Sequence, residues 1–394
     1  MRGSILFNGN AIAEGDLIRT ARDLLLDSRH GDLTVRSRRK VLLVTAGWEE
    51  REYEEAHVKQ ALYEIGIPGQ DDNVQNLSAW HTYQEFCARE PAVAALWHTR
   101  EQLIEATRAL YLEKNGFFTA YLRRSLESLK RHATETTMPG SGGAEGHSRW
   151  IRSVAEVMAN VRAFTHPPAD FDGARLLSYF LGRDIRDTLA HLVANDDRMV
   201  ELLHDLDEHF ADGTGLHHNA TWRRLRDQME RRILSANAIM LFGGHLGVLH
   251  RALNFFRLRE TFAEALRRGT CFYASSAGAL ILCERIIVYN DFPSDMGPRR
   301  EFQLFDRGFG LVRHLQVFPH CMDRIQTDDS DNLAYLAHRF QNRVCVGLNE
   351  GSFLLIESNP ALRCTSLGRE DGVYVFDPSG RKMRYDQGQE IPLA

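Results

Sequence analysis

One ten-residue stretch, Cys271 to Leu280, constrains the fold of this chain more than any other. Apolar residues typical of a buried strand run directly into a turn of alanine, serine and glycine, and a helix-forming segment follows at once. A strand that breaks sharply into a helix around a serine is the pattern of a nucleophile elbow, where small neighbours leave room for a strained turn. Within Ala-Ser-Ser-Ala-Gly at 274–278, the nucleophile position falls on Ser276. The simpler interpretation is a helix start at which a serine only caps the helix.

The segments around this stretch predict an α/β domain with a doubly wound, mostly parallel sheet. Short, continuously apolar runs are typical of strands that are buried on both faces of a parallel sheet. Helical segments separate several of these runs, and alternation of strands and helices is the pattern of this fold class. The predicted strands are 4–7, 41–44, 238–242, 270–273, 286–289, 315–318, 344–348 and 353–357, and the tail is predicted to end in a β-hairpin that turns at 377–380.

The central part of the chain has a different pattern. Amphipathic helical repeats run from 96 to 129, with apolar side chains on one face, and again from 175 to 210. No strand-like, β-branched run is found from about 55 to 230. We interpret residues 55–224 as a large helical insertion, either a lid or an oligomerisation element such as the interface of a homodimer. Residues 1–54 and 225–394 are then one catalytic α/β domain.

Composition excludes several classes of function. The chain has 394 residues, of which 26% are charged, and its formal net charge is −5, which argues against a nucleic-acid-binding surface. No apolar run approaches the length of a membrane span, and the N-terminus lacks the pattern of a signal peptide, so no membrane partner is expected. The six cysteines are dispersed without a C-x-x-C pair, which is typical of reduced thiols. Cytoplasmic localisation is therefore expected.

Two further turns carry residues that are suited to catalysis. Gly243 and Gly244 follow a predicted strand, and glycines there let backbone amides approach a bound group, as an oxyanion hole requires. A phosphate-binding loop is the alternative, but the lysine and hydroxyl residue of a Walker-type motif are missing. His320 stands just past another strand, behind Pro319. Because parallel strands end at one edge of a sheet, the turns at Gly243 and Ser276 are expected to lie side by side.

Five short motifs, taken in order, resemble the peptidase E and cyanophycinase family of serine peptidases. The motifs are Gly243-Gly244, Ser276-Ala-Gly-Ala279, Asn290-Asp-Phe-Pro293, Pro319-His320 and Gly347-Leu-Asn-Glu-Gly-Ser352. The fold of this family is similar to that of class I glutamine amidotransferases, with a serine in place of the elbow cysteine. The resemblance therefore implies a flavodoxin-like catalytic domain. It covers residues 3–55 and 225–394 and leaves the insertion without a counterpart.

The resemblance also implies a catalytic triad. Ser276 would attack the scissile carbonyl, and His320 would take and return its proton. Asp291 would orient the imidazole and stabilise its positive charge. Glu350 is the alternative for that third role, because cyanophycinases use the matching glutamate. No metal or organic cofactor is implied by this chemistry.

The oxyanion hole and the substrate contacts are implied at neighbouring positions. The backbone amides of Gly244 and Ala277 would form the oxyanion hole. The predicted substrate-binding residues are Gly243, Asn290, Arg324, Asp328 and Asp329. The dipeptidase E branch of the family has an arginine-rich segment after the histidine, whereas residues 326–331 here are acidic. One interpretation of this acidic segment is that the substrate carries a basic group. The simpler one is a solvated loop before a helix. Arg324 is a candidate for binding a carboxylate of the substrate.

These observations predict a serine peptidase that hydrolyses small peptides or isopeptides and is similar to dipeptidase E. The expected partner is a small peptide substrate. Hydrolysis of a β-linked Asp-Arg polymer, as by cyanophycinase, is one alternative. A non-catalytic binding protein with an amidotransferase-like fold is another, and retention of Ser276, Asp291 and His320 argues against it.

Overall fold

A computed structural model gives the fold over most of the chain. It describes residues 3–9, 18–19, 22, 40–67, 73–135, 167, 173–289, 302–325, 327–341, 343–357, 362–367 and 372–393. The predicted site residues Asn290 and Asp291 lie outside these ranges. Within them, no helix combines the length and the apolar character that crossing a membrane requires.

The strands fall close to their predicted positions. They are β1 (Ile5–Asn8), β2 (Val41–Val44), β3 (Val74–Asn76), β4 (Ala238–Leu241), β5 (Cys271–Ser275), β6 (Arg285–Tyr289), β7 (Phe302–Arg307), β8 (Leu315–Pro319), β9 (Val344–Leu348), β10 (Phe353–Glu357), β11 (Arg363–Ser366), β12 (Val373–Phe376) and β13 (Lys382–Tyr385). The main sheet has the order β11-β10-β1-β5-β4-β2-β3. Its strands β1 to β5 are parallel, and β10 and β11 are antiparallel to their neighbours.

Both faces of the main sheet are buried, which is why its strands are continuously apolar. Ile5 and Phe7 of β1 pack into one apolar cluster, and Leu6 between them packs into a second cluster on the opposite face. The same alternation holds along β2, β4 and β5. A parallel-dominated sheet covered on both faces is the architecture of an α/β domain, so the predicted fold class is confirmed.

A second sheet lies behind the helix that follows the elbow. Its order is β13-β12-β9-β8, in which β8 and β9 are parallel. The predicted terminal hairpin is formed by β12 and β13, which pair antiparallel across a turn at 377–381. This sheet places the carboxyl end of β8, and therefore His320, beside the main sheet. Strands β6 and β7 form a separate two-stranded ribbon.

The helices of the described chain alternate with these strands and form a long hairpin in the middle. They are α1 (Ala56–Glu64), α2 (Ala79–Arg89), α3 (Pro91–Glu135), α4 (Gly173–Gly213), α5 (Ala220–Ser235), α6 (Leu246–Phe255), α7 (Arg259–Arg268), α8 (Ala277–Leu282), α9 (Cys321–Arg324) and α10 (Ser330–Arg339). Their ends follow local chemistry. Asn219 caps α5 by accepting a hydrogen bond from the amide of Trp222, and Gly269 ends α7 in a left-handed conformation.

The long hairpin consists of α3 and α4, which run antiparallel. Hydrogen bonds join Asn115 to Asp196 near the middle of the pair and Ser125 to Asp184 farther out. Buried Leu122, Leu129 and Leu189 pack between the two helices at the outer end. The predicted helices at 96–129 and 175–210 are therefore confirmed, with longer bounds.

The segment predicted to contain no strand nevertheless supplies one to the main sheet. β3 pairs parallel with β2 and forms the edge of that sheet. The expectation that this largely helical segment contains no strand was therefore wrong. The pattern missed β3 because the strand is only three residues long and Val74 is its only β-branched residue.

Candidate active site

Ser276 stands between β5 and α8 in a left-handed backbone conformation. Its φ is 50° and its ψ is −116°, values that cost a non-glycine residue about 1–3 kcal/mol. Although Ser276 occupies the N-cap position of α8, its side chain makes no capping hydrogen bond. Its Oγ lies instead 3.0 Å from Nε2 of His320. The interpretation of this serine as a simple helix cap is therefore wrong, and the geometry is that of a nucleophile elbow.

Two glycines make this turn possible because backbone approaches backbone there. A Cβ on Gly278 would lie 2.4 Å from the carbonyl oxygen of Leu241 in β4, so α8 packs against that strand without room for a side chain. A Cβ on Gly243 would lie 3.0 Å from Cβ of Ser276. Since β4 and β5 are parallel neighbours, the turns at Gly243 and Ser276 lie side by side, as predicted.

His320 is also held in a left-handed conformation, with a φ of 55° and a ψ of 37°. It follows β8 and precedes the short helix α9. The side chain of Asn349 fixes the start of that helix: its Oδ1 accepts hydrogen bonds from the amide of Met322 at 2.9 Å and from the thiol of Cys321 at 3.1 Å. Asn349 is 6% exposed. The sequence patterns did not single out Asn349, although it differs from the arginine of the family's Gly-Leu-Arg-Glu-Gly-Ser motif.

Asn8 ties the elbow to the turn at 349–352. Its carbonyl oxygen accepts a hydrogen bond from the amide of Ser276 at 3.3 Å. Its Nδ2 donates to the carbonyl oxygens of Glu350 and Ser352, at 3.0 Å each. A Cβ on the next residue, Gly9, would lie 2.3 Å from the carbonyl oxygen of Asn349. The sequence signal for this contact is the Asn8-Gly9 pair at the end of β1.

Backbone amides suited to an oxyanion hole face the same turn. Gly244 is exposed and has a φ of 116°, and a Cβ there would lie 2.5 Å from the carbonyl oxygen of Gly47. The amides of Gly244 and Ala277 donate no hydrogen bond to a residue of the described ranges. A Cβ on Gly243, the chain neighbour of Gly244, would lie 3.8 Å from the amide nitrogen of Ala277. Donors left open beside a nucleophile can stabilise negative charge on a reacting carbonyl oxygen.

Comparison with known families identifies this arrangement. Residues 195–363 match the sequence profile of peptidase family S51. This segment belongs to peptidase family S51. The predicted resemblance to the peptidase E and cyanophycinase family is confirmed, and the chain is a serine-type peptidase. The matched S51 segment is less than half of the chain, and it contains the elbow, the Gly243-Gly244 turn and His320.

One solved structure that is similar to the chain is described as "Crystal structure of a peptidase from an acI-B1 Actinobacterium". It is 12% identical, the match covers 99% of this chain and 97% of that chain, and the TM-score is 0.44. None of the curated proteins compared with the chain matches it.

Of the two candidates for the third triad position, Asp291 and Glu350, the structure describes only Glu350. Asp291 of the S51 segment lies outside the described residues. Glu350 is exposed, and its carboxylate makes no hydrogen bond or ion pair with any residue in the described ranges. It contributes its backbone carbonyl to Asn8 instead. The structure therefore does not bring the Glu350 side chain into contact with His320.

The acidic residues predicted to bind substrate are engaged elsewhere. Asp329 caps α10, because its Oδ1 accepts hydrogen bonds from the amides of Asp331 at 2.9 Å and Asn332 at 3.2 Å. Asp328 forms an ion pair with Nζ of Lys382 at 3.0 Å, although its side chain is 99% exposed. Arg324 is half-buried in α9, next to His320. For Asp329, the simpler interpretation of this segment as a solvated loop before a helix is correct.

Cysteines near the elbow are not nucleophiles. Cys271 and Cys283 are fully buried and not in disulfides. Burial raises the pKa of the Cys283 thiol to about 12, so it stays protonated at neutral pH. The hydroxyl of Ser276 is the group that faces His320.

Proposed function

We propose that this chain hydrolyses small peptides or isopeptides with Ser276 as the nucleophile and His320 as the general base, similarly to dipeptidase E. The observation that carries the proposal is the 3.0 Å contact between Ser276 Oγ and His320 Nε2. A hydroxyl within hydrogen-bond reach of an imidazole is the arrangement that activates serine. The rigid backbone around both residues supports it, because it holds the pair in place before substrate arrives.

In the proposed reaction, His320 accepts the hydroxyl proton as Oγ of Ser276 attacks the scissile carbonyl. The amides of Gly244 and Ala277 then stabilise the oxyanion, an effect worth roughly 3–4 kcal/mol per donor in proteases of this kind. His320 returns the proton to the leaving amine. Water, deprotonated by the same imidazole, then attacks the acyl-enzyme ester and releases Ser276.

We assign the orienting carboxylate to Asp291 rather than Glu350. The exposed side chain of Glu350, without a contact to His320 among the described residues, supports this choice. It also weakens the case for cyanophycinase-like hydrolysis, in which that glutamate orients the histidine. Asp291→Asn should lower kcat strongly, because the imidazolium formed during the reaction loses its stabilising charge, whereas Glu350→Gln should leave kcat nearly unchanged.

The decisive experiment is covalent labelling with a serine-reactive fluorophosphonate, read by intact mass. Ser275→Ala is a matched control, because Ser275 is the neighbouring serine and is 5% exposed. We expect one adduct on the wild type and on Ser275→Ala and none on Ser276→Ala. Dipeptide hydrolysis should fall at least about a thousandfold in Ser276→Ala. An adduct that survives in Ser276→Ala contradicts the assignment, and a folded wild type with neither adduct nor turnover favours the binding-protein alternative.

We further propose a preference for peptides that carry a basic group. The support is the exposed carboxylate of Asp328, which follows the short helix α9 by four residues in the sequence. Asp328→Asn is expected to raise KM for Arg- or Lys-containing dipeptides and not for neutral ones. The change should be modest, because Lys382 already neutralises part of this charge. An unchanged preference across a dipeptide library contradicts the proposal.

We propose that α3 and α4 form an element added to an otherwise complete α/β body. β3 and α2 belong to that body, because β3 extends its sheet and Phe86 of α2 packs in its core. A cytoplasmic location is also proposed. It agrees with six cysteines that form no disulfide, five of them buried.

A further inference from the structure

The outer face of α3 carries a line of large apolar side chains that are open to solvent. These side chains and their exposed fractions are Leu96 (49%), Leu103 (45%), Leu110 (67%), Phe117 (70%) and Tyr121 (51%). They are five of the twelve exposed large apolar side chains found among the described residues. Apolar exposure is therefore concentrated on one face of one helix, which marks an interaction surface.

The spacing of these residues is that of a helix made to pair with another helix. Leu96, Leu103, Leu110 and Phe117 recur every seven residues. A seven-residue apolar repeat keeps one seam of an α-helix facing a partner when two helices wind around each other. The face between them is mostly small, since the intervening positions hold Thr99, Ala106, Glu113 and Ala120, all exposed. Small residues there let a second helix approach closely.

This face is distinct from the one that α4 already covers, although Tyr121 at its end also hydrogen-bonds the side chain of Asp184 in α4. Ile104, Leu122 and Leu129 on the other side of α3 are buried, at 5%, 5% and 1% exposure. They pack in clusters with residues of α4. The prediction of a single apolar face on α3 was thus wrong: the helix has two, and only the inner one is occupied by described residues.

We propose that a second copy of this chain covers the outer face, through an antiparallel pair of α3 helices related by a two-fold axis. Such an interface uses the same patch on both copies, so the patch must be complementary to itself. The line of residues has this property. With the axis midway between Leu103 and Leu110, Leu103 of one copy faces the partner's Leu110, and Leu96 faces the partner's Phe117.

Charge decides between the antiparallel and the parallel arrangement. Glu113 is the one charged residue at the seam positions from 96 to 120. A parallel pair in register would place the two copies of Glu113 together in an apolar seam, where like charges are unfavourable. In the antiparallel pair the two glutamates lie on opposite sides of the axis, about 20 Å apart along the helices.

The size of the face suits a stable dimer. From Leu96 to Tyr121 the helix extends over about 38 Å at 1.5 Å per residue. Stable interfaces bury about 800 Å² on each partner, and a seam of this length between two helices reaches that scale. Burial of five large apolar side chains, each exposed by nearly half or more, supplies the driving force.

The first test is the mass of the full chain in solution, measured by sedimentation or by light scattering. We expect twice the 44.9 kDa of one chain for the wild type. Leu103→Glu/Leu110→Glu should give a 44.9 kDa monomer with unchanged circular dichroism. Leu202→Glu is the matched control: Leu202 is a 37% exposed leucine of α4, and this variant should remain dimeric.

Two results would overturn the proposal. The first is a wild type that is monomeric at micromolar concentration. If the wild type is monomeric and Leu103→Glu/Leu110→Glu lowers its Tm, the two leucines are buried within the monomer, and another segment of the same chain covers the face. The second is a Leu103→Glu/Leu110→Glu variant that folds and stays dimeric.

Disulfide cross-linking tests the orientation. In the antiparallel pair, the double variant Leu96→Cys/Phe117→Cys should form a covalent dimer on mild oxidation, because the two positions face each other across the seam. Neither single variant should do so. Cross-linking by a single variant would show that equal positions meet and would overturn the antiparallel arrangement.

Discussion

The catalytic edge of the α/β body and the α3–α4 hairpin are held together by different forces. At the edge, backbone packs directly on backbone, as where Gly278 meets Leu241. The hairpin is joined to the body by apolar contacts, such as that of Trp97 with Phe255, and by side-chain charges, above all the buried pair between Arg339 of α10 and Asp196 of α4. The edge therefore has no room for an added atom, whereas the hairpin depends on charges that must stay paired. The same kind of substitution should act differently in the two regions.

Gly278→Ala should have the largest effect. The new methyl group would lie 2.4 Å from the carbonyl oxygen of Leu241 and 2.7 Å from its carbonyl carbon, so the elbow must move. We expect at least about 3 kcal/mol of lost stability, measured by urea unfolding. Hydrolysis should fall at least about a hundredfold, because small displacements of a nucleophile cost that much.

Gly213→Ala, at the end of α4, is the matched control in the hairpin. A Cβ there meets no atom within 4 Å. Alanine should leave activity unchanged and stabilise the helix by up to about 1 kcal/mol. Equal losses in both glycine variants would remove the distinction between the two regions.

Two adjacent carboxylates of α4 test how strongly the hairpin depends on buried charges. Asp196 accepts hydrogen bonds from Arg339 at 2.7 and 3.0 Å, and the two side chains are 8% and 3% exposed. Asp197 pairs with Arg285, but its side chain is 55% exposed. Asp196→Asn leaves a buried guanidinium without its counter-charge and should cost about 3–5 kcal/mol.

Asp197→Asn, one residue away, should cost about 1 kcal/mol or less, because water screens this pair. Both values can be read from urea midpoints at low salt. Similar losses in Asp196→Asn and Asp197→Asn would show that burial does not set the strength of these pairs.

Asn349→Ala should have a smaller effect, confined to catalysis. It removes the acceptor that holds the amide of Met322 and the thiol of Cys321, next to His320. We expect kcat to fall about tenfold with KM nearly unchanged, because Asn349 positions the histidine and does not touch the serine. Asn349→Asp keeps the acceptor oxygen and should restore most of the rate. A change in KM alone would argue against a positioning role.

The stability of the chain should also depend on pH, through a histidine of α10. Burial lowers the pKa of His338 in α10 from 6.5 to about 4. Because its folded-state pKa is depressed, the unfolded chain binds more protons, and stability should be lost as the pH falls from 6.5 towards 4. His338→Gln should weaken this dependence, and His314→Gln, at an exposed position, should not. Identical pH profiles for both variants and the wild type would contradict the prediction.

Local patterns predicted much of the body. The buried strands and the elbow at Ser276 are recognisable because continuous apolar runs and small residues leave a signal within a few positions. The contacts of Asn8 and Asn349 were not predictable, since Asn8 bonds to residues 342 and 344 positions away and Asn349 to residues 27 and 28 positions away, beyond the reach of local patterns. The second apolar face of α3 was missed for another reason: in a periodic helix, Leu96 and Trp97 are both apolar, and only the packing shows which one is buried.

The contact between Asn8 and the turn at 349–352 has a consequence for the timing of activity. Among the described residues, Nδ2 of Asn8 in β1 donates to the carbonyls of Glu350 and Ser352, so β1 lacks these partners until that late turn has been synthesised. A chain still emerging from the ribosome, with its elbow serine already made, therefore lacks the closure that fixes the serine and the histidine.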